Sequence, residues 1–161
     1  MTEEQIALAK RAVVCKGFRW MPGMAFDLTR NDATSTGWRI TSVQHGYFSY
    51  WASEVVVIKA SVCEFVISPR GNVHVRYAGR PLPDKSSGCR MLPDLTDPAT
   101  LGCLLALVRE AWNEESIGFV RQECGRANGG PRWFMIDEGG ERGGYHPTEA
   151  EALVAALEAA P

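Results

Sequence analysis

The sequence predicts an α+β fold in which a mostly antiparallel sheet packs with three helices, N-terminal, central and C-terminal, in a single layered domain. Three segments, 2–16, 97–113 and 148–160, combine helix start signals with apolar residues at helical spacing. The stretches between them are rich in β-branched and aromatic residues and contain many glycines, which favours strands and turns. With 161 residues, the chain has the length of one domain, 1–161.

The first helix begins with a capping-box pattern, since Thr2 and Gln5 have the spacing at which each side chain caps the other's amide. Ile6, Ala9 and Val13 form an apolar stripe. We expect the helix to stop near Gly17, with this glycine in the left-handed conformation.

The middle of the chain predicts strands. Residues 27–36 are polar and are expected to form a loop. The predicted strands that follow are 38–44, 47–51, 55–60, 62–68 and 73–77. Residues 53–60 also fit a short helix, although three consecutive valines argue against it. Residues 79–92 have the composition of a linker that leads into the second helix.

The second helix begins at Asp97, a good N-cap, followed by Pro98 at the first helical position. Its predicted buried face is Leu101, Leu104, Leu105, Val108 and Trp112. Two strands, 117–124 and 132–137, follow as a hairpin, and 139–144 is predicted to be a second glycine-rich turn. Thr148 and Glu151 repeat the capping-box spacing. The N-terminal and C-terminal helices each have one apolar stripe, so we expect both to pack on one face of the sheet.

Charge is distributed unevenly along the chain. Residues 1–92 contain twelve Lys/Arg and seven Asp/Glu, whereas 93–161 contain five and twelve, and the net charge is −2. The five cysteines form no CxxC pair, and an odd number cannot all pair within one chain. This pattern favours free thiols, which are typical of a reducing compartment. The start of the chain is acidic and lacks the pattern of a signal peptide. We therefore expect a cytoplasmic protein.

The sequence contains no motif of a common chemistry. The three histidines, His45, His74 and His146, lack metal-site spacing, and there is neither a GxSxG elbow nor a phosphate-binding glycine loop. A Cys63–His74 pair would need neighbouring strands, and burial would make that thiol inert. We expect no catalytic residues, no metal and no cofactor, and therefore no enzyme.

In the absence of such motifs, the feature that most suggests a function is positive charge interleaved with aromatic residues. Between residues 68 and 92, five cations face only Asp84. Such a strip suits a phosphate backbone or an acidic protein surface, although a solvated sheet edge is the more common reason for such charges. The paired rings around Tyr50 and Trp51 put an aromatic on each face of their strand, for burial or for an interface. The candidate partner-binding residues are Arg70, His74, Arg76, Tyr77, Arg80, Lys85, Arg90, Tyr50 and Trp51.

Three blocks together, the first in two parts, resemble an uncharacterised family of small proteins of tailed phages and prophages. They are 7–13 (ALAKRAV), 20–24 (WMPGM), 92–105 (LPDLTDPATLGCLL) and 147–153 (PTEAEAL). The order of the blocks is similar to that of phage α-β-α sandwich domain proteins. The resemblance implies a phage or prophage origin and brings no catalytic residues. It leaves the strand-rich segment 27–91 unmatched, which implies a family-variable segment.

The resemblance and the missing motifs favour a non-enzymatic phage accessory protein that binds a host or phage protein complex. Inhibition of a host defence, in the manner of anti-CRISPR proteins, or of a nucleic-acid machine fits this class. Three alternatives remain open: direct nucleic-acid binding through the 68–92 strip, a structural homodimer, and an enzyme with a composite site around His74 or Cys63. No membrane partner is expected.

Overall fold

The computed structural model describes residues 1–30, 33–48, 53–70, 72–77, 80–81, 89–123 and 131–161. Within these ranges the chain forms three helices and eleven strands. The helices are α1 (Glu3–Val14), α2 (Pro98–Trp112) and α3 (Glu149–Glu158). The strands are β1 (Ala25–Arg30), β2 (Ala33–Arg39), β3 (Ser42–Phe48), β4 (Ser53–Ala60), β5 (Cys63–Ile67), β6 (Val73–Tyr77), β7 (Arg80–Pro81), β8 (Arg90–Pro93), β9 (Gly118–Gln122), β10 (Arg132–Asp137) and β11 (Gly140–His146). The predicted α+β class is confirmed, and the paired strands run antiparallel.

The chain divides into two compact units. One unit joins Met1–Arg19 to Leu95–Pro161 and contains the three helices with the sheet β11-β10-β9. The other, Trp20–Asp94, is built from strands, in the sheets β2-β1-β8 and β3-β4-β5-β6-β7. It includes the whole of the segment 27–91, which was predicted to be rich in strands. The single-domain expectation stays a prediction.

Helix α3 is the centre of the helical unit. It contacts α1, α2 and all three strands of the sheet β11-β10-β9. Consistent with this position, Ala152, Leu153, Val154, Ala156 and Leu157 are all buried. The prediction of one apolar stripe on α3 is therefore wrong, because the helix is packed on several sides. That α1 also lies on the sheet stays a prediction.

The helix starts follow the predicted caps. The amide of Gln5 donates to Thr2 Oγ1 (3.2 Å) and the amide of Thr2 donates to Gln5 Oε1 (2.7 Å). The amide of Thr100 donates to Asp97 Oδ2 (2.8 Å). At α3 the amide of Glu151 donates to Thr148 Oγ1 (3.2 Å). These bonds satisfy amides that a helix N-terminus leaves without an internal partner.

The buried face of α2 is turned slightly from the predicted one. Leu104 and Val108 are buried as expected, and Leu107 is buried where Leu101 and Leu105 were predicted. Trp112 Nε1 donates to the carbonyl of Ala156 in α3 (2.9 Å). None of the helices in the described ranges has both the length and the apolar character that crossing a bilayer requires.

Gly17 is closely packed and does not have a left-handed backbone. Helix α1 ends at Val14, with Cys15 extended at φ −62°, and Gly17 is not among the positive-φ glycines. A Cβ atom at Gly17 would lie 3.0 Å from Leu157 Cδ1 and 3.3 Å from Ala111 Cβ. The predicted conformation is therefore wrong, and a larger residue at this position would have to displace its neighbours.

Residues 27–36 do not form the predicted loop. They lie in the hairpin β1–β2, apart from 31–32, which are outside the described residues. Two residues of β2, Thr36 and Gly37, lie opposite Asp27 of β1, and Gly37 has φ +85°. The Gly37 amide donates to Asp27 Oδ1 (3.3 Å), and Asp27 is 3% exposed. This β-bulge explains how a polar sequence pairs as strands.

Three further strand predictions are corrected by the pairing. The predicted strand 38–44 is divided between β2 and β3. The linker predicted for 79–92 contains β7 and β8, with 82–88 outside the described residues. The predicted turn 139–144 belongs mostly to β11, which begins at Gly140 with φ +108°. The linker and turn segments are polar or glycine-rich and gain their strand conformation from a partner strand. Residues 53–60 form β4, so the strand alternative is correct there.

An aromatic cluster joins the two sheets of the strand-rich unit. Phe65 of β5 packs edge-on against Phe26 of β1 (5.1 Å between ring centroids) and Trp38 of β2 (5.3 Å). Phe26 and Phe65 are fully buried. Such edge-to-face pairs add about 0.5–1.5 kcal/mol to what burial alone contributes.

Gly17→Val should lower the free energy of unfolding by about 1–3 kcal/mol, because the new side chain collides with Leu157 and Ala111. Gly102→Ala is the matched control. Its Cβ would meet nothing within 4 Å inside α2, so it should raise the free energy of unfolding by about 0.5–1 kcal/mol. Urea unfolding measures both. Equal effects of the two variants would contradict this account of Gly17.

Asp27→Asn should flatten the pH dependence of stability. Burial raises the pKa of the Asp27 carboxyl, and the Gly37 hydrogen bond opposes this while nearby Asp94 adds to it. The folded protein then keeps the proton to higher pH than the unfolded chain, so the free energy of unfolding falls as pH rises through that interval. Asn keeps an acceptor for Gly37 and removes the titration. Urea unfolding at a series of pH values should show a smaller fall for the variant, and identical slopes would contradict the assignment.

Candidate interaction surface

The five-stranded sheet has two faces of different chemistry. Along β4, β5 and β6 successive side chains alternate between them. One face carries Ile58, Phe65 and Val75, which are buried. The other, which we call the charged face, carries Lys59, Glu64 and Arg76 in one row and Val57, Val66 and His74 in the next. The pairing has no register shift across these strands, so the rows follow directly from it.

The first row of the charged face alternates in sign. Lys59 Nζ lies 3.5 Å from Glu64 Oε1, and Glu64 is opposite Arg76 in register. Opposite charges on facing strand positions stabilise a sheet by about 0.2–1 kcal/mol. The Glu64 carboxylate also offsets part of the positive charge of residues 68–92. Glu64 lies outside that segment, so the charge of the segment alone does not indicate this effect.

The second row places an apolar pair beside an imidazole. Val66 is buried, whereas Val57 and His74 are half-buried. His74 lies opposite Val66, and Val66 lies opposite Val57. The charged face therefore combines a central apolar row with a flanking row of both signs.

The predicted partner-binding residues do not all share this face. His74 and Arg76 do. Arg70 is exposed in the turn between β5 and β6, and Tyr77 belongs to the opposite face and is 52% exposed. Arg80 is a β7 residue opposite Tyr77, and Arg90 pairs with Thr29 in the other sheet. Lys85, Tyr50 and Trp51 lie outside the described residues. A common partner site for these nine residues stays a prediction.

The hypothetical Cys63–His74 pair is excluded by the strand register. Strands β5 and β6 are neighbours, but Cys63 pairs with Tyr77 whereas His74 pairs with Val66. The odd offset puts the two side chains on opposite faces. Burial raises the pKa of the Cys63 thiol, which disfavours the reactive thiolate. No three His, Cys, Asp or Glu residues cluster as a metal site within the described ranges.

Two concavities were not predicted from the sequence. A cleft of about 590 Å³ lies at one end of the five-stranded sheet, where His45 and Glu54 flank a floor that includes Val56 and Ile67, with Ser68 beside it. His45 and Glu54 are exposed, and the hairpin register puts them on one face, opposite Val56 and Tyr47 respectively. Only the pairing of β3 with β4 brings His45 and Glu54 near each other, so their spacing in the sequence did not predict the cleft.

The second concavity belongs to the helical unit. It measures about 420 Å³ and is lined by Val14, Cys15, Gly17 and Leu157 among others. The guanidinium of Arg11 donates to both carboxylate oxygens of Glu158 (2.9 and 2.6 Å) at its rim. Burial, with the charge of Glu158, raises the pKa of the Cys15 thiol, which again disfavours the thiolate.

Comparison of the chain with protein-family models, with curated proteins and with solved structures found no match. The resemblance to phage and prophage proteins therefore stays a prediction that depends on the three sequence blocks.

Glu64→Gln should strengthen non-specific binding of nucleic acid. Without this carboxylate, part of the positive charge of Lys59 and Arg76 is no longer offset, so a labelled oligonucleotide at low salt should bind several-fold more tightly than to the original protein. Losing a partly exposed ion pair should lower the free energy of unfolding by less than about 1 kcal/mol. Glu138→Gln, the same change at an exposed turn, is the control. Equal affinities for the two variants would contradict a local effect of Glu64.

Proposed function

We propose that this protein acts by binding a protein partner, without catalysis, and that the charged face of the five-stranded sheet is the contact surface. The observation that carries the proposal is the combination on this face of the half-buried Val57, which lies beside the buried Val66, with cations and a carboxylate. Protein interfaces join apolar contacts at the centre to a polar rim. Arg76 has the planar donor geometry that suits carboxylates of a partner.

A protein partner is favoured over nucleic acid by the charge balance. Glu64 lies among the cations of the charged face. The whole strand-rich unit, Trp20–Asp94, contains eight Lys/Arg and six Asp/Glu, which is far from the strongly basic composition of nucleic-acid-binding domains. A phosphate backbone would be repelled by Glu64, whereas a protein of mixed charge can pair with both signs.

The proposed setting is the cytoplasm of a bacterial host, where a phage or prophage accessory protein meets a host or phage protein complex. Its support is the sequence resemblance given above, together with four cysteines, Cys15, Cys63, Cys89 and Cys103, that are free in the described ranges. Free thiols persist in reducing compartments. Inhibition of a host defence or of a nucleic-acid machine is the class of action that such an accessory protein would have.

Arg76→Gln should weaken capture of the partner. The immobilised protein is exposed to lysate of a bacterial host, the retained protein is identified, and its affinity is measured with purified components. We expect about tenfold weaker binding by the variant, as for loss of one arginine that contributes strongly to an interface.

Arg121→Gln, on β9 in the other unit, is the matched control and should leave binding unchanged. Equal retention by the original protein and Arg76→Gln would contradict the assignment of the surface. Salt-sensitive binding of an oligonucleotide by the original protein would favour a nucleic-acid partner instead.

A further inference from the structure

The sheet edges of this protein are protected unequally. An edge strand offers unpaired amides and carbonyls to another chain, and proteins block such edges with charges, prolines, bulges or very short strands. The three sheets have six edge strands among the described residues: β2, β8, β3, β7, β9 and β11. Five of them carry at least one of these protections.

The five protected edges use different devices. Strand β7 has two residues, of which Pro81 is one, and β8 has four residues with a proline at its end. Strands β2 and β11 have irregular register against their neighbours. Strand β9 carries Arg121, which ion-pairs with Glu123 (3.0 Å). Each device disfavours pairing with a further strand.

Strand β3 has none of these protections. Its seven residues, SVQHGYF, include no proline and no Asp, Glu, Lys or Arg. It pairs with β4 through seven consecutive residue pairs without a register shift. Its other side pairs with no strand of the described chain. At the middle of the strand Gln44, His45 and Gly46 are exposed. Among the residues that the structure describes, the edge is therefore long, regular and open.

We propose that β3 pairs with β3 of a second copy of this chain, antiparallel about a two-fold axis, so that two five-stranded sheets become continuous. Two-fold dimers with self-complementary interfaces are the commonest assemblies of identical chains. The symmetric register centres on His45, which faces the same residue of the second copy, and puts Gln44 opposite Gly46. Because β3 carries no charged side chain, this pairing brings no carboxylate against a carboxylate and no lysine or arginine against its like.

The dimer is independent of the proposed partner binding. Strand β3 lies at one edge of the sheet, whereas the charged face is centred on β4, β5 and β6. Pairing through β3 leaves both charged faces in place and doubles them, which would raise the avidity for a multivalent partner. The two proposals can therefore fail separately.

The test is sedimentation velocity over a range of concentrations. The original protein should show a concentration-dependent dimer. His45→Lys and His45→Glu each place like charges opposite one another at the centre of the interface, so each alone should be monomeric at concentrations at which the original protein dimerises. An equimolar mixture of the two should restore the dimer, because lysine then faces glutamate.

Val62→Lys is the control, since it adds the same charge at a position that is 56% exposed in the turn between β4 and β5. It should dimerise as the original protein does. Circular dichroism of the variants checks that they are folded, and restoration on mixing could not occur with unfolded chains. A monomeric original protein at every concentration, dimers of both His45 variants, or failure of the mixture to associate would each overturn the β3 pairing.

Discussion

The packing of Phe65 against Phe26 and Trp38 determines which face of the five-stranded sheet is buried in the strand-rich unit. It holds one face of the five-stranded sheet against the sheet β2-β1-β8. Because side chains alternate along a strand, burial of Phe65 commits its neighbour Glu64 to the opposite face, next to Lys59 and Arg76. A slip of one residue in β5 would bury the carboxylate and expose the ring. The register of β5 therefore determines both the hydrophobic contact of Phe65 and the arrangement of charges on the charged face.

The two units form their buried cores from different kinds of residues. The helical unit surrounds α3, whose alanines allow helices and strands to approach closely, and at Gly17 even a methyl group would lie only 3.0 Å from Leu157 and 3.3 Å from Ala111. The strand-rich unit uses large rings and a buried carboxyl at a bulge. It is inserted between α1 and α2 in the chain, so its surface can vary while the helical unit keeps its own core.

The five-stranded sheet offers two different means of association. The charged face has side chains of both signs around an apolar row, which favours recognition of one partner by its chemistry. The β3 edge offers backbone hydrogen bonds without charged side chains, which favours an identical strand. A protein that acts through its surface gains from both, because dimerisation multiplies a weak contact without adding any new residue to it.

By itself, the sequence determined the class and the starts of the three helices, because a cap such as Thr2 with Gln5 or Asp97 with Thr100 acts within one helical turn. Only the tertiary structure decided that β1, β2 and β11 are strands, since their polar or glycine-rich residues pair only when a partner strand is supplied from elsewhere in the chain. It also put Glu64 among the cations. Sequence spacing describes contacts between near neighbours, whereas a sheet face is assembled by the register between strands that are distant in sequence.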